Sequence, residues 1–230
     1  MDFLELRTLT KIAKTIETIK ETKGKTIEPH KIPLDDSQTF DLFSRAETKD
    51  VFQMESGGMR ELLQRLKPDK FRDIVAVLAL YRPGPLEGGM VDQYFAVKHG
   101  MKPVEYLHPI LEEILSETYG VMVYQEQIMQ ILNRLGNIPL GDAYLCIKAI
   151  FMKRDFSQFR ERFLEGFREN NPTMKTGVAI FDEIVKFAPY GFNQSHAVAY
   201  AHIAYMTAYL KAHYPEEFAD ACSSIDTKAY

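Results

Sequence analysis

A mainly α fold, built from many short helices with little or no sheet, is predicted by three features of this sequence. Apolar residues recur at helical spacing along most of the 230 residues. Gly and Pro punctuate those runs where a helix has to stop. No segment sustains the alternation of a half-buried strand; Val121-Met122-Val123 alone hints at one, and it is too short to build a sheet.

The elements follow in order. Leu6, Leu9, Ala13, Ile16 and Ile19 predict a first helix that stops at Gly24. The stretch from Lys25 to Leu34 carries Pro29 and Pro33 and reads as an extended connection. Asp35 with Gln38 suits a capping arrangement for a short helix through Phe43. Met59, Leu62, Leu63 and Leu66 line one face of a helix that follows Ser56 and ends at Pro68. A helix from Asp73 to Leu80 buries Ile74, Val77 and Leu78, then meets Arg82-Pro83-Gly84-Pro85. Two prolines in three residues predict a stiff, exposed turn there, without helix. Helix resumes from Val91 to Lys98 and closes at Gly100.

Tyr124, Ile128, Ile131, Leu132 and Leu135 form the next stripe, ended by Gly136 and Pro139, and a further helix covers Gly141 to Arg154. Phe156, Phe159, Phe163, Leu164 and Phe167 make an aromatic stripe before Asn170-Asn171-Pro172. Ile180 to Phe187 is helical again, Ala197 to Ala212 is the most apolar helix, and Pro215 starts a last one into Ala221. There is no internal repeat and no low-complexity tract.

Composition narrows the class without naming a function. Hydrophobic residues at 46% and charged residues at 26% suit a soluble globular chain of one large or two small domains. A net charge of −4 argues against a stand-alone nucleic-acid binder, though it leaves room for a local basic face. Cys146 and Cys222 form no CxxC pair, so neither a zinc site nor a disulfide framework is expected, and a reducing, cytoplasmic setting is. No apolar run approaches the roughly 18 residues of a membrane span. Glu5, Arg7, Lys11 and Lys14 interrupt any apolar signal core at the N-terminus. No membrane partner is expected.

Several segments together resemble a known family. Arg82-Pro83-Gly84-Pro85-Leu86, Gly89-Met90-Val91-Asp92 and Lys98-His99-Gly100 are similar to the fingers of family C replicative DNA polymerases, the bacterial DNA polymerase III alpha subunits. So are Tyr119-Gly120, Tyr124-Gln125-Glu126-Gln127 with Met129, Tyr190-Gly191-Phe192-Asn193, Ser195-His196-Ala197 and Leu210-Lys211-Ala212-His213-Tyr214-Pro215. Val51-Phe52-Gln53 with Glu55-Ser56 and Gly58-Met59 is a further match, and Met1-Asp2-Phe3-Leu4 resembles the last palm motif. The matches run from Met1 to about Ala221 in family order, and it is their joint presence that makes them specific. The resemblance implies residues 1–24 as the end of a palm with its connecting helix, 25–225 as a helical fingers domain and 226–230 as a tail.

The activity it implies is DNA-directed DNA polymerase, a nucleotidyltransferase of DNA replication. A primer hydroxyl attacks the α-phosphate of a dNTP, two metal ions about 4 Å apart assist, and pyrophosphate leaves. Palm carboxylates hold the Mg2+ ions, while fingers cations stabilise the triphosphate. The implied partners are primer-template DNA, dNTP, the remaining palm and other domains, and replisome subunits.

Asp2 matches the third metal-associated, catalytic carboxylate of that palm; otherwise it is a solvated residue near the terminus. The family's Asp-x-Asp pair is missing from these residues, and one carboxylate cannot hold two Mg2+. Mg2+ is therefore expected in the complete enzyme, and the chain alone is expected to be catalytically incomplete. A non-catalytic module that binds DNA or other subunits is the alternative reading.

Lys148, Lys153 and Arg154 are candidate phosphate contacts or a solvated face. Family members resemble Leu-Arg-Arg-Ala-Met-Gly-Lys-Lys here. By that alignment Ile147 and Lys148 replace two Arg, Phe151 a Gly and Met152 a Lys. Asn193, Ser195 and His196 are candidate nucleotide contacts, and Asn193 or Ser195 also suits a helix N-cap. Gln194 stands where Lys is usual, while Pro189 and Glu5 stand where Gly is usual. Arg82 and Lys98 read either as nucleotide or DNA contacts or as surface ion pairs, and His30, His108, His202 and His213 as structural.

Overall fold

The computed structural model describes residues 7–170 and 173–226. Among them are thirteen α-helices and no strand, so the mainly α class holds. The chain divides into two compact units, residues 7–78 with 198–226, and residues 79–197. No described helix is long and apolar enough to cross a membrane.

In the first unit α1 (Arg7–Lys23) packs against α13 (Pro215–Asp226). Ile12 and Ile19 meet Phe218 and Cys222, with Leu210 and Tyr214 at the end of α12 (Gln194–His213). Glu217 is buried at this seam, where its carboxylate accepts from Thr22 Oγ1 at 3.2 Å and pairs with Lys23 Nζ at 3.0 Å. A hydrogen bond from its own backbone N–H and then Lys23 hold its pKa below the usual carboxylate range.

The short helices α2 (Ser37–Ser44) and α3 (Gly57–Leu66) and the start of α4 (Phe71–Leu80) also belong to this unit. The Tyr205 ring, fully buried, meets Phe40, Phe43 and Phe71 with centroids 5.5–6.3 Å apart. Ser56 caps α3 by accepting from Met59 N–H, as its place before the apolar stripe predicts. The capping of α2 differs from expectation. Its N-cap is Asp36, whose carboxylate binds His213 Nε2 at 2.8 Å, and Gln38 Nε2 donates to the Ala212 carbonyl. Long-range partners win over the local capping box.

The second unit opens with a helical turn where the sequence predicts none. Pro83–Glu87 forms a one-turn helix, α5, with Pro85 buried. Proline is barred from helix interiors because it lacks an N–H, but the first turn has no use for that N–H. Pro83 at the first helical position and Pro85 within the same turn are therefore compatible with helix. Then follow α6 (Met90–Lys98), α7 (Pro109–Leu115), α8 (Gln125–Gly136), α9 (Leu140–Phe151), α10 (Ser157–Asn170) and α11 (Met174–Phe187). His108 starts α7, its Nδ1 accepting from Ile110 N–H at 3.2 Å, which is a structural role.

The core of this unit is aromatic. Phe163 stacks on Phe167 and tilts onto Phe181, 5.4 Å between centroids. Val121 to Val123 form no strand, and only an isolated parallel bridge joins Tyr124 to Phe192. The buried Gln127 side chain holds this region. Its Oε1 accepts from Val123 N–H and Tyr124 N–H at 2.9 and 3.0 Å, and its Nε2 donates to Thr118 Oγ1 at 2.8 Å. Gln127→Ala is expected to cost about 2–3 kcal/mol, since two buried N–H donors lose their acceptor. Urea unfolding followed by circular dichroism measures it.

Candidate functional site

Every described candidate residue lies in the unit 79–197; Asp2 and Glu5 lie outside the described residues. The site is built on the α8–α9 hairpin. Two twelve-residue helices joined by a short connection pack along each other, so the C-terminal end of α9 lies beside the N-terminal end of α8. A 3₁₀ turn, Ala188–Tyr190, packs on α9 and leads into the Phe192 bridge beside α8. Pro189 sits in the first part of that turn, where its fixed φ is no burden.

Lys148, Lys153 and Arg154 are exposed, and no ion pair holds any of them among the described residues. Around them stand exposed apolar side chains, Tyr144, Leu145, Phe151 and Met152. Residues 144, 148 and 151 share one helical face, as do 145 and 152. The result is a face that mixes cations with aromatic and aliphatic surface. Ile147 is different: it is 3% exposed and faces the core with Ala143 and Ile150. The residue read as a lost Arg is here a core residue, not a gap in the exposed cationic face. Cys146 is on the same buried side, and burial pushes its thiol up to about 12.

The segment from Tyr190 to His196 is held from two flanks. On one, Arg82 donates to the Tyr190 carbonyl at 2.6 Å and the Ala79 carbonyl at 2.8 Å, and lies 4.7 Å from the Phe192 ring centroid. Burial lowers the Arg82 pKa from its ordinary value. The Tyr190 ring lies on Gly84, where any Cβ would overlap it. The Phe192 ring in turn meets His196 edge-on, 5.6 Å between centroids.

On the other flank stands Glu126. Its two carboxylate oxygens accept from Asn193 Nδ2 and Gln194 N–H, each at 2.9 Å. Asn193 Oδ1 accepts from Ser195 Oγ and His196 N–H at 2.8 Å, which makes Asn193 the N-cap of α12. Gln194 Nε2 donates to Glu117 at 2.9 Å. The helix N-terminus thus already faces a carboxylate.

Lys98 sits apart, its ammonium 5.9 Å from the Tyr119 ring centroid. That ring borders a cleft of about 530 Å³, also lined by Asp92, Lys102, Glu105 and Lys186. Two lysines and two carboxylates there select no ligand charge, and none of the candidate residues lines it. No group of three or more His, Cys, Asp or Glu among the described residues is placed to hold a metal ion.

Sequence reasoning overlooks Glu126 and Glu117. Glu126 lies inside a quoted motif, yet its partner Asn193 is 67 residues away, and no local spacing signals that pair.

The family described as bacterial DNA polymerase III alpha subunit finger domain matches residues 8–171. The chain is 50% identical over 226 residues to DNA polymerase III subunit alpha of Halalkalibacterium halodurans, covering 97% of this chain and 20% of that protein. It is 50% identical over 220 residues to the subunit of Aquifex aeolicus, covering 95% and 19%. Against that of Escherichia coli K12 it is 44% identical over 236 residues, covering 98% and 20%. The chain thus spans about a fifth of the length of these relatives. The all-helical fold of the described residues agrees with these matches, which place the chain in the bacterial DNA polymerase III alpha subunit finger domain family.

Proposed function

We propose that this chain serves as the fingers part of a replicative DNA polymerase, meeting primer-template DNA and incoming dNTP with the α9 face. The observation that carries the reading is the cluster Lys148, Lys153 and Arg154, exposed and without ion-pair partners among the described residues, beside the exposed rings of Tyr144 and Phe151. Cations without carboxylate partners attract phosphate, and exposed aromatic faces stack on bases. Ser195 and His196, exposed at the start of α12, are further contacts in this reading. Its partners are DNA, dNTP and the remaining palm and other domains of the polymerase.

Nucleotidyl transfer needs an acidic cluster around divalent ions. That cluster belongs to the complete enzyme with its Mg2+, so the 230-residue chain alone is a binding element that does not extend primers.

Fluorescence anisotropy with a primer-template duplex, over a series of salt concentrations, tests this. Binding is expected to weaken steeply with salt. The combined K148A, K153A and R154A variant should lower the slope of log K against log salt by up to about 3. Undetectable binding at low salt, or a slope untouched by the substitutions, overturns the reading. Incubation with Mg2+ and four dNTPs is expected to yield no extended primer, and extension above a no-protein control would overturn the expected inactivity.

A further inference from the structure

The exposed residues at the start of α12 are only as well placed as the segment that carries them. That segment is short; Phe192 ties its middle to the start of α8, its N–H donating to the Val123 carbonyl at 3.0 Å and its carbonyl accepting from Gln125 N–H at 2.9 Å, which leaves the helix start beyond it to side-chain partners. The Gln194 and His196 N–H groups belong to the first turn of α12, where no intrahelical acceptor exists. Glu126 supplies the acceptor for the first, and Asn193 for the second. Glu126 also holds the other end of the Asn193 amide, so one carboxylate fixes both the helix start and the orientation of its cap.

Resting on the function proposed above, we propose that Glu126 is a positioning residue that sets how Ser195 and His196 are presented to DNA, with Arg82 as its counterpart on the opposite flank. Asn193 is then a brace rather than a contact. Its Nδ2 is given to Glu126 and its Oδ1 to Ser195 Oγ and His196 N–H. Arg82 is likewise turned inward, onto two carbonyls and the Phe192 ring against which His196 packs.

The hydrogen-bond polarity of the pair allows a test that separates geometry from charge. In Asn193→Asp, two carboxylates face each other and the clamp opens. In Glu126→Gln, the amide cannot accept from both Asn193 Nδ2 and Gln194 N–H. In the double variant, E126Q with N193D, the amide nitrogen at position 126 donates to the carboxylate at position 193. The amide oxygen at position 126 still accepts from Gln194 N–H. The net charge of the pair equals that of the native chain.

Two readouts are made on the full chain. Amide exchange of Gln194 and His196 reports the clamp, with Ala143 N–H, bonded to the Pro139 carbonyl at 2.9 Å at the start of α9, as internal control. Anisotropy with the same duplex reports presentation. Each single variant is expected to speed exchange at Gln194 or His196 by about tenfold, the scale of one charge-assisted hydrogen bond. N193D is expected to bind DNA about tenfold more weakly, and the double variant should return both readouts to within about twofold of native.

Unchanged exchange in both single variants overturns the positioning role. Recovery of exchange without recovery of binding makes Asn193 a direct contact and overturns its role as a brace. If the native chain binds no DNA, the proposed function fails, while exchange alone still decides whether Glu126 orders this segment. Arg82→Lys, which loses the two-carbonyl reach, is expected to loosen the same amides from the other flank, and its failure to do so removes Arg82 from the proposal.

Discussion

Ile147→Arg is expected to destabilise the chain by about 3–5 kcal/mol, the scale of a buried charge without a partner. Sequence alignment alone suggests the opposite, since it presents Arg as a restored cation. The geometry decides: Ile147 is 3% exposed and shares its face with Ala143, Cys146 and Ile150. An arginine there also gives up the packing of the isoleucine side chain. One residue on, Lys148 is exposed, and Lys148→Arg should change stability by less than about 0.5 kcal/mol. Urea denaturation of both variants, followed by helical circular dichroism, measures the contrast. Equal midpoints for the two would show that residue 147 reaches solvent.

Gly166→Ala is the second substitution with a large expected effect, and its sign depends on two competing terms. Alanine favours a helix interior over glycine by about 0.5–1 kcal/mol. Against this, a Cβ on Gly166 would overlap the Gly136 carbonyl, and the nearest atoms are backbone, which cannot rotate away. Overpacking of this kind costs about 1–3 kcal/mol. With backbone on both sides the upper end applies, so a net loss of about 2 kcal/mol is expected. Gly141→Ala in α9 is the control. Gly141 is the second residue of α9 and a Cβ there meets nothing within 4 Å, so a propensity gain of at most about 0.5 kcal/mol remains. Thermal melts should move in opposite directions for the two alanines. If both rise, α8 and α10 separate more easily than their crossing implies.

Much of the helical plan is legible because the apolar stripes are regular and the stops are chemically plain. Met59, Leu62, Leu63 and Leu66 are all buried on α3, and Phe159, Phe163 and Phe167 are all buried on α10. Gly24 ends α1 with φ +64°, a conformation that suits glycine. The misreadings have a common source. A rule about helix interiors fails for Arg82-Pro83-Gly84-Pro85, because these residues make a first turn. A rule about local caps fails for Asp35 and Gln38, because Asp36 and Gln38 bond to His213 and Ala212. α7 (Pro109–Leu115) escapes the sequence reading, since seven residues give too little periodicity to recognise.

The amino-acid order by itself determined the helical class, most helix boundaries and the family, because those depend on short-range spacing and on motifs whose members are neighbours. It also set out which cations were candidates. Only the tertiary structure decided where each stands: Lys148, Lys153 and Arg154 are exposed on and just after α9, Ile147 lies in the core, Arg82 bonds to the Tyr190 carbonyl and Asn193 to Glu126. A side chain's partner depends on which segments folding brings within about 3 Å, the reach of a hydrogen bond. Glu126 meets Asn193 across 67 residues of chain. No pattern local to either one encodes that meeting.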